Sequence, residues 1–249
     1  MGKIFYRIAY WLIKHVFLKV KIRGTHNISA NEPLIFVSNH LGSFGPVSVM
    51  SSIPFKVYPW VTHEITDITK CGSYLKKDFV DAELRLNGSL GRSLSWLLAR
   101  ACVSVMRTVE AIPVYKRSKR IRNTIQKTLR FLEGGGSILI FPENPDQRIS
   151  GHLCKFDTGF VSLAKYFYRK TKKVISFLPI AVNEKAKSIR VGKPIPFNSQ
   201  VSFRKEKRRL VSELENTINS MYHEMQDQKG TLPAKKGSNP PDYRNRIGA

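Results

Sequence analysis

The stretch Gly134-Gly-Gly-Ser-Ile-Leu-Ile-Phe-Pro-Glu-Asn-Pro-Asp-Gln-Arg148 decides how this chain is read. Its three glycines close a helical pattern, because glycine takes the left-handed conformation that ends a helix. That pattern is Ile121, Ile125, Leu129 and Leu132, spaced for one helix face. Ser137 to Phe141 is a short apolar run with the composition of a buried strand, and Pro142 stops it. Glu143, Asp146 and Arg148 then share a tight polar loop at that strand's C-terminal end.

The same grammar repeats outward. Leu34-Ile-Phe-Val-Ser38 reads as a buried strand after Pro33, and Asn39-His40-Leu-Gly-Ser-Phe-Gly-Pro46 is the loop that follows it. Pro46 suits the first turn of the next helix. Phe55 to Val61, Glu110 to Tyr115 and Val174 to Val182 read as further strands. Phe160 to Tyr168 reads as a helix. Leu210, Leu214, Ile218, Met221 and Met225 mark a closing amphipathic helix. Strands alternating with helices predict an α/β fold, a mostly parallel β-sheet flanked by helices. Ligands of such sheets bind beyond the C-terminal strand ends, where the loops after Ser38 and Phe141 both lie.

The 249 residues are 42% hydrophobic and 10% aromatic, enough for a packed core. Cys71, Cys102 and Cys154 form no CxxC pair, which argues against a disulfide scaffold or structural zinc and for a reducing compartment. His26, His63 and His223 lack a ligand-spaced partner, so no metal is expected. Filling space is the expected role of Cys154, and His152 reads as a solvated loop residue. With 42 Lys+Arg against 18 Asp+Glu the formal charge is +24, which attracts polyanions. The basic residues run from Lys3 to Arg246 without a finger, an RNP-like aromatic pattern or a basic recognition helix, so nucleic acid is not the expected partner.

The stretch Met1 to Lys21 is apolar and aromatic but interrupted by Arg7, Lys14 and Lys19. A spanning helix needs about 20 mostly apolar residues, so the expectation is an in-plane amphipathic membrane-interface helix. No leader cleavage site or myristoylation pattern is expected there. Trp96 to Met106 is the next most apolar segment, broken by Arg100, and reads as a core or second interfacial helix. From Gln228 on, Gly, Pro, Lys, Ser and Asn predict a disordered tail.

His40, freed by Gly42 and Gly45, could take a proton from a hydroxyl within hydrogen-bond reach; a histidine capping the next helix would look the same. Glu143 could receive a ligand hydroxyl, and Arg148 could grip phosphate. The basic pair Lys116-Arg117 follows the Glu110 to Tyr115 strand.

The order of these pieces resembles the glycerolipid acyltransferases of the lysophosphatidate (1-acylglycerol-3-phosphate) acyltransferase type, over about residues 18 to 225. Their Asn-His motif matches Asn39-His40. Their Ile-Pro-Val-Asp-Arg matches Ile112-Pro-Val-Tyr-Lys116-Arg117. Their Phe-Pro-Glu-Gly-Thr-Arg, continuing to Phe-Lys-x-Gly, matches Phe141-Pro-Glu143-Asn-Pro-Asp and Phe156-Asp-Thr-Gly159. Their Val-Pro-Val strand matches Leu178-Pro179-Ile180. Val20-Lys-Ile-Arg-Gly24 and Val191-Gly-Lys-Pro-Ile195 also look like family segments.

The resemblance implies an O-acyltransferase of phospholipid biosynthesis, peripheral on the cytoplasmic face of a membrane. Acyl-CoA or acyl carrier protein would be the donor, a lysophospholipid-like molecule the acceptor, and no cofactor is needed. The catalytic set would be Asn39, His40, Glu143 and Asp146. Ser43, Lys116, Arg117, Asn144 and Arg148 would hold the acceptor. Residues 1–17 would be the interfacial helix, 18–227 the acyltransferase-like domain and 228–249 the tail. One departure matters most. Gly45 stands where the family has the aspartate that would fix the imidazole tautomer, and losing such a partner lowers rates by about 10⁴. Asp146 or Glu64, the latter in Thr62-His-Glu-Ile65, could supply the carboxylate. His40 could instead lean on a backbone carbonyl and run slowly, or the fold could be a lipid- or acyl-binding module without turnover.

Overall fold

The computed structural model describes residues 20–29, 32–42, 44–81, 84–86, 88–116, 118–149 and 153–230. The expected interfacial helix at residues 1–17 lies outside them, as does the expected tail from residue 231 onward.

The strands are β1 (Lys21–Arg23), β2 (Leu34–Ser38), β3 (Val57–Thr62), β4 (Ile112–Val114), β5 (Ser137–Ile140), β6 (Glu143–Ile149), β7 (Leu153–Phe156), β8 (Ser176–Asn183), β9 (Ser188–Val191) and β10 (Ile195–Pro196). The α-helices are α1 (Phe44–Ser52), α2 (Ile68–Leu75), α3 (Gly88–Thr108), α4 (Ile121–Glu133), α5 (Ser162–Thr171) and α6 (Phe203–Gly230). The main sheet runs β1-β9-β8-β2-β5-β3-β4, with β10 against β8. The pairs β1–β9, β2–β8, β2–β5, β3–β5 and β3–β4 are parallel. Only β9 and β10 meet β8 antiparallel. The α/β reading with a mostly parallel sheet therefore holds.

The central strands read as unbroken apolar runs because helices cover both faces. Side chains alternate along a strand. Ile35, Val37, Ile138 and Ile140 pack with Leu132, Leu163, Phe167, Leu210, Leu214 and Ile218 of α4, α5 and α6. Leu34, Phe36 and Leu139 belong to a second cluster with Val49 and Ile53 beside α1. Each such side chain contributes about 1.5–3 kcal/mol relative to staying exposed. The glycine run behaves as read: Gly135 has φ 81°. A Cβ on Gly136 would lie 2.6 Å from the Tyr58 ring, so only glycine lets the chain pass there.

Three expectations need correction. The strand bounds shift by up to two residues, because β3 continues to Thr62 and β8 starts at Ser176. Helix α6 extends to Gly230, into the segment assigned to the tail. The segment after Phe141 is not a tight loop but one arm of a ribbon, with β6 antiparallel to β7. Its ladder pairs Glu143 with Phe156 and Arg148 with Cys154, so the surplus residues of β6 are absorbed in an irregularity. A bulge takes up extra residues, and Pro145 cannot donate to a ladder.

Candidate active site

A cavity of about 740 Å³ opens beyond the C-terminal ends of β2, β3, β4 and β5. Those four strands run parallel, so their following residues converge. His40, His63, Lys116 and Phe141 all line the cavity. Apolar side chains make most of its wall, among them Val47 and Met50 of α1, Val105 and Met106 of α3, Ile125 and Phe160. Volume and lining are those of a small-molecule site with a few placed polar groups.

Asn39 is fully buried and does not face this cavity with a free group. Its Nδ2 donates to the Val182 carbonyl at 3.0 Å, and its Oδ1 accepts from the Val182 N–H at 2.8 Å. Asn39, expected among the catalytic residues, clamps the end of β2 to β8 with this pair of hydrogen bonds. His40 follows and turns its ring to the cavity, edge-on to Phe141 with centroids 5.2 Å apart at 83°. Burial lowers its pKa and favours the neutral imidazole.

Glu143 holds this turn. Its Oε2 accepts the His40 backbone N–H at 2.8 Å, and its Oε1 accepts the Cys154 N–H at 3.3 Å. One carboxylate thus ties the β2 loop to β7. Burial raises its pKa, and the two N–H groups pull it back without cancelling the rise. Glu143 addresses the His40 backbone rather than its ring. Among the described side chains, no carboxylate hydrogen-bonds or ion-pairs with the His40 imidazole.

Gly45 lies buried in the first turn of α1. A Cβ there would sit 3.3 Å from the Asn39 carbonyl oxygen and 3.7 Å from His40 Cα. Position 45 therefore packs against the Asn39–His40 backbone, and glycine brings no carboxylate there.

Glu64 does not serve His40. It accepts a hydrogen bond from Thr62 Oγ1, and its Oε2 lies 3.0 Å from His63 Nδ1. Lys116, expected to bind substrate, lines the cavity and pairs with Asp157 at 3.0 Å. The contact spans 41 residues, which hides it from sequence reading. Asn144 sits beside Glu143 in β6. Asp146 and Arg148 lie further along that strand, their side chains outside the described set. Ser43 and Arg117 lie outside the described residues. Among the described residues, no group of three His, Cys, Asp or Glu could hold a metal ion.

The sheet order and the cavity at its strand ends give the chain the fold of a glycerophosphate acyltransferase. One solved structure with this fold is the 1-acyl-sn-glycerophosphate (LPA) acyltransferase PlsC from Thermotoga maritima, with a TM-score of 0.53, covering 94% of this chain and 80% of that one. At 12% identity the likeness is one of fold. No family model matches the sequence, and no curated protein does.

Proposed function

We propose that this protein transfers a fatty acyl group from a thioester donor, acyl-CoA or acyl carrier protein, to a hydroxyl of a lysophospholipid-like acceptor. The observation that supports it best is the open His40 imidazole in an apolar cavity at the C-terminal ends of parallel strands. A cavity imidazole takes the hydroxyl proton, and the resemblance gives that role to His40. The acceptor oxygen attacks the thioester carbonyl, and the thiol leaves. Apolar walls suit an acyl chain. Lys116 at the rim, with Arg117 and Arg148, gathers the phosphate-bearing head group by the same resemblance.

The reaction takes place at an anionic membrane surface, on the cytoplasmic face. None of the described helices is long and apolar enough to cross a membrane. Helix α3, however, exposes Leu90, Trp96 and Leu97, and the Arg100 guanidinium lies 4.0 Å over the Trp96 ring. Such a face, with a formal charge of +24 behind it, suits an anionic bilayer.

A second reading, a lipid- or acyl-binding protein without turnover, is favoured by Gly45 and by a His40 ring that meets no carboxylate among the described side chains. One experiment separates them. The purified full-length chain is mixed with long-chain acyl-CoA or acyl carrier protein thioesters and a panel of lyso-lipid acceptors on anionic vesicles. Release of free thiol with ester formation supports acyl transfer. Saturable acyl-CoA binding without thiol release supports the second reading.

A further inference from the structure

Two imidazoles face the cavity, and they are built differently. His40 has no carboxylate among the described side chains. His63, in the turn after β3, has one: its Nδ1 lies 3.0 Å from Glu64 Oε2. The turn is fixed from several sides. Thr62 Oγ1 donates to Glu64, and Thr66 Oγ1 donates to the His63 carbonyl at 2.8 Å. The Tyr115 ring lies against the His63 ring, with centroids 4.9 Å apart at 38°.

The chemistry follows from the order of these contacts. Burial pushes the Glu64 carboxyl up, but the Thr62 hydroxyl, the turn's backbone, His63 and Lys70 together hold it below the usual carboxylate range. At neutral pH it is an acceptor only, and with its Oε2 3.0 Å from Nδ1 it favours the His63 tautomer that carries the proton there and the lone pair on Nε2. An imidazole held by a carboxylate at Nδ1 and free at Nε2 is the arrangement that accepts a proton from a hydroxyl nucleophile. Both His63 and Glu64 line the cavity that His40 lines. Only β5 separates β2 from β3, so the two strand ends stand about 10 Å apart, two strand spacings.

We propose that His63, with Glu64 behind it, is the proton-accepting pair of this cavity, and that the carboxylate missing beside His40 has its counterpart here. The proposal rests on the acyl-transfer reading and changes which imidazole acts in it. The acceptor O–H gives its proton to His63 Nε2 as the oxygen bonds to the thioester carbonyl carbon. The carbon–sulfur bond then breaks, and the departing thiolate takes the proton back from Nε2. Ester and free thiol are the products, and the imidazole ends neutral.

The test uses the full-length chain with two readouts. Turnover is measured with a long-chain acyl-CoA and lysophosphatidate for wild type, His63→Gln, Glu64→Gln and His40→Gln. In parallel, carbethoxylation by diethyl pyrocarbonate is mapped peptide by peptide, which reads Nε2 reactivity without turnover. His63→Gln is expected to lower kcat by about 10²–10⁴-fold, the range of a lost general base, with KM little changed. His40→Gln is expected to cost less. Glu64→Gln is expected to slow carbethoxylation of His63 and not of His40, and it keeps the side chain's shape if His63→Gln fails to fold. Turnover that survives His63→Gln while His40→Gln abolishes it overturns the base assignment alone. So does His63 carbethoxylation indifferent to Glu64→Gln. A wild-type chain without turnover on any acceptor overturns the acyl-transfer reading and the assignment with it.

Discussion

The Glu143 carboxylate receives the His40 backbone N–H at 2.8 Å while its other oxygen receives the Cys154 N–H at 3.3 Å. A carboxylate that the resemblance places in the catalytic set therefore ties two segments of the chain together. The Asn39 clamp on Val182 works on the same turn from the buried side. Between them, the backbone on which His40 rides is held from two directions, and the shape of the cavity edge depends on both.

Removing the tie should disturb both folding and turnover. Glu143→Ala deletes two charge-assisted hydrogen bonds, each of a kind contributing about 1.5–3 kcal/mol to stability. Some of that is offset, because the mutation also removes a carboxylate whose burial is unfavourable. The thermal midpoint should therefore fall, and kcat/KM should fall with it because the turn that carries His40 loses an anchor. Because the Glu143 pKa is raised, wild-type activity should fall on the acid side at a pH above the ordinary carboxylate value. Glu143→Gln should abolish that inflection. A pH–rate profile of both proteins checks it.

Gly45→Asp places a carboxylate beside the Asn39–His40 backbone. Its Cβ would meet the Asn39 carbonyl at 3.3 Å, so the turn must yield by a few tenths of an ångström and stability should drop modestly. A carboxylate within about 4–6 Å favours the charged imidazole. The His40 pKa, lowered by burial in the wild type, should therefore rise. NMR titration of the His40 ring protons in both proteins measures it. An unchanged midpoint would show that the new side chain turns away.

Much of the fold was legible because it is punctuated. Pro33, the glycines at 134–136 and Pro142 bracket β2 and β5, and both are apolar on every residue but their terminal serines. The ribbon β6–β7 was not legible, since Asn144, Pro145 and Asp146 are turn formers that fall in the irregularity between the paired Glu143 and Arg148. Asn39 and Glu143 were found as residues, yet their partners are backbone groups of Val182, His40 and Cys154, which leave no mark in a side-chain pattern. Glu64 was legible as a stray carboxylate of a strand-end loop. That it faces His63 rather than His40 depends on the 3₁₀ turn His63–Thr66, and adjacent residues carry no spacing signal for such a pair.

The exposed face of α3 should bind anionic bilayers. Leu90, Trp96 and Leu97 are 77%, 57% and 62% exposed, and Arg92 and Arg100 share the helix. Inserting one leucine gains about 1.5–3 kcal/mol. Trp96→Glu with Leu97→Glu should therefore weaken partitioning onto phosphatidylglycerol vesicles by at least about tenfold. Raising the salt should weaken the wild type further, because the basic residues act through a screened potential. Vesicle co-sedimentation reads both. Partitioning unaffected by the double substitution would place the docking surface elsewhere.

A last expectation concerns stability rather than the site. Glu206, fully buried in the first turn of α6, accepts the Asn198 N–H at 2.8 Å and holds the Arg209 guanidinium, which also donates to the Pro196 carbonyl. This network fixes the start of α6 to β10. Burial pushes the Glu206 carboxyl up, but Arg209 and the Asn198 N–H outweigh it, and the folded pKa falls below the ordinary one. A carboxylate shifted down in the folded state stabilises fully above its unfolded pKa, about 4.3. That contribution fades as the pH drops through the lower folded value. Glu206→Ala should therefore cost at least one charged hydrogen bond at pH 7, about 1.5–3 kcal/mol. The difference from wild type should stay level down to about pH 5 and shrink only below the unfolded value. Urea denaturation of both proteins across that range reads the difference directly. A gap that instead closes between pH 7 and 5 would assign the effect to another group.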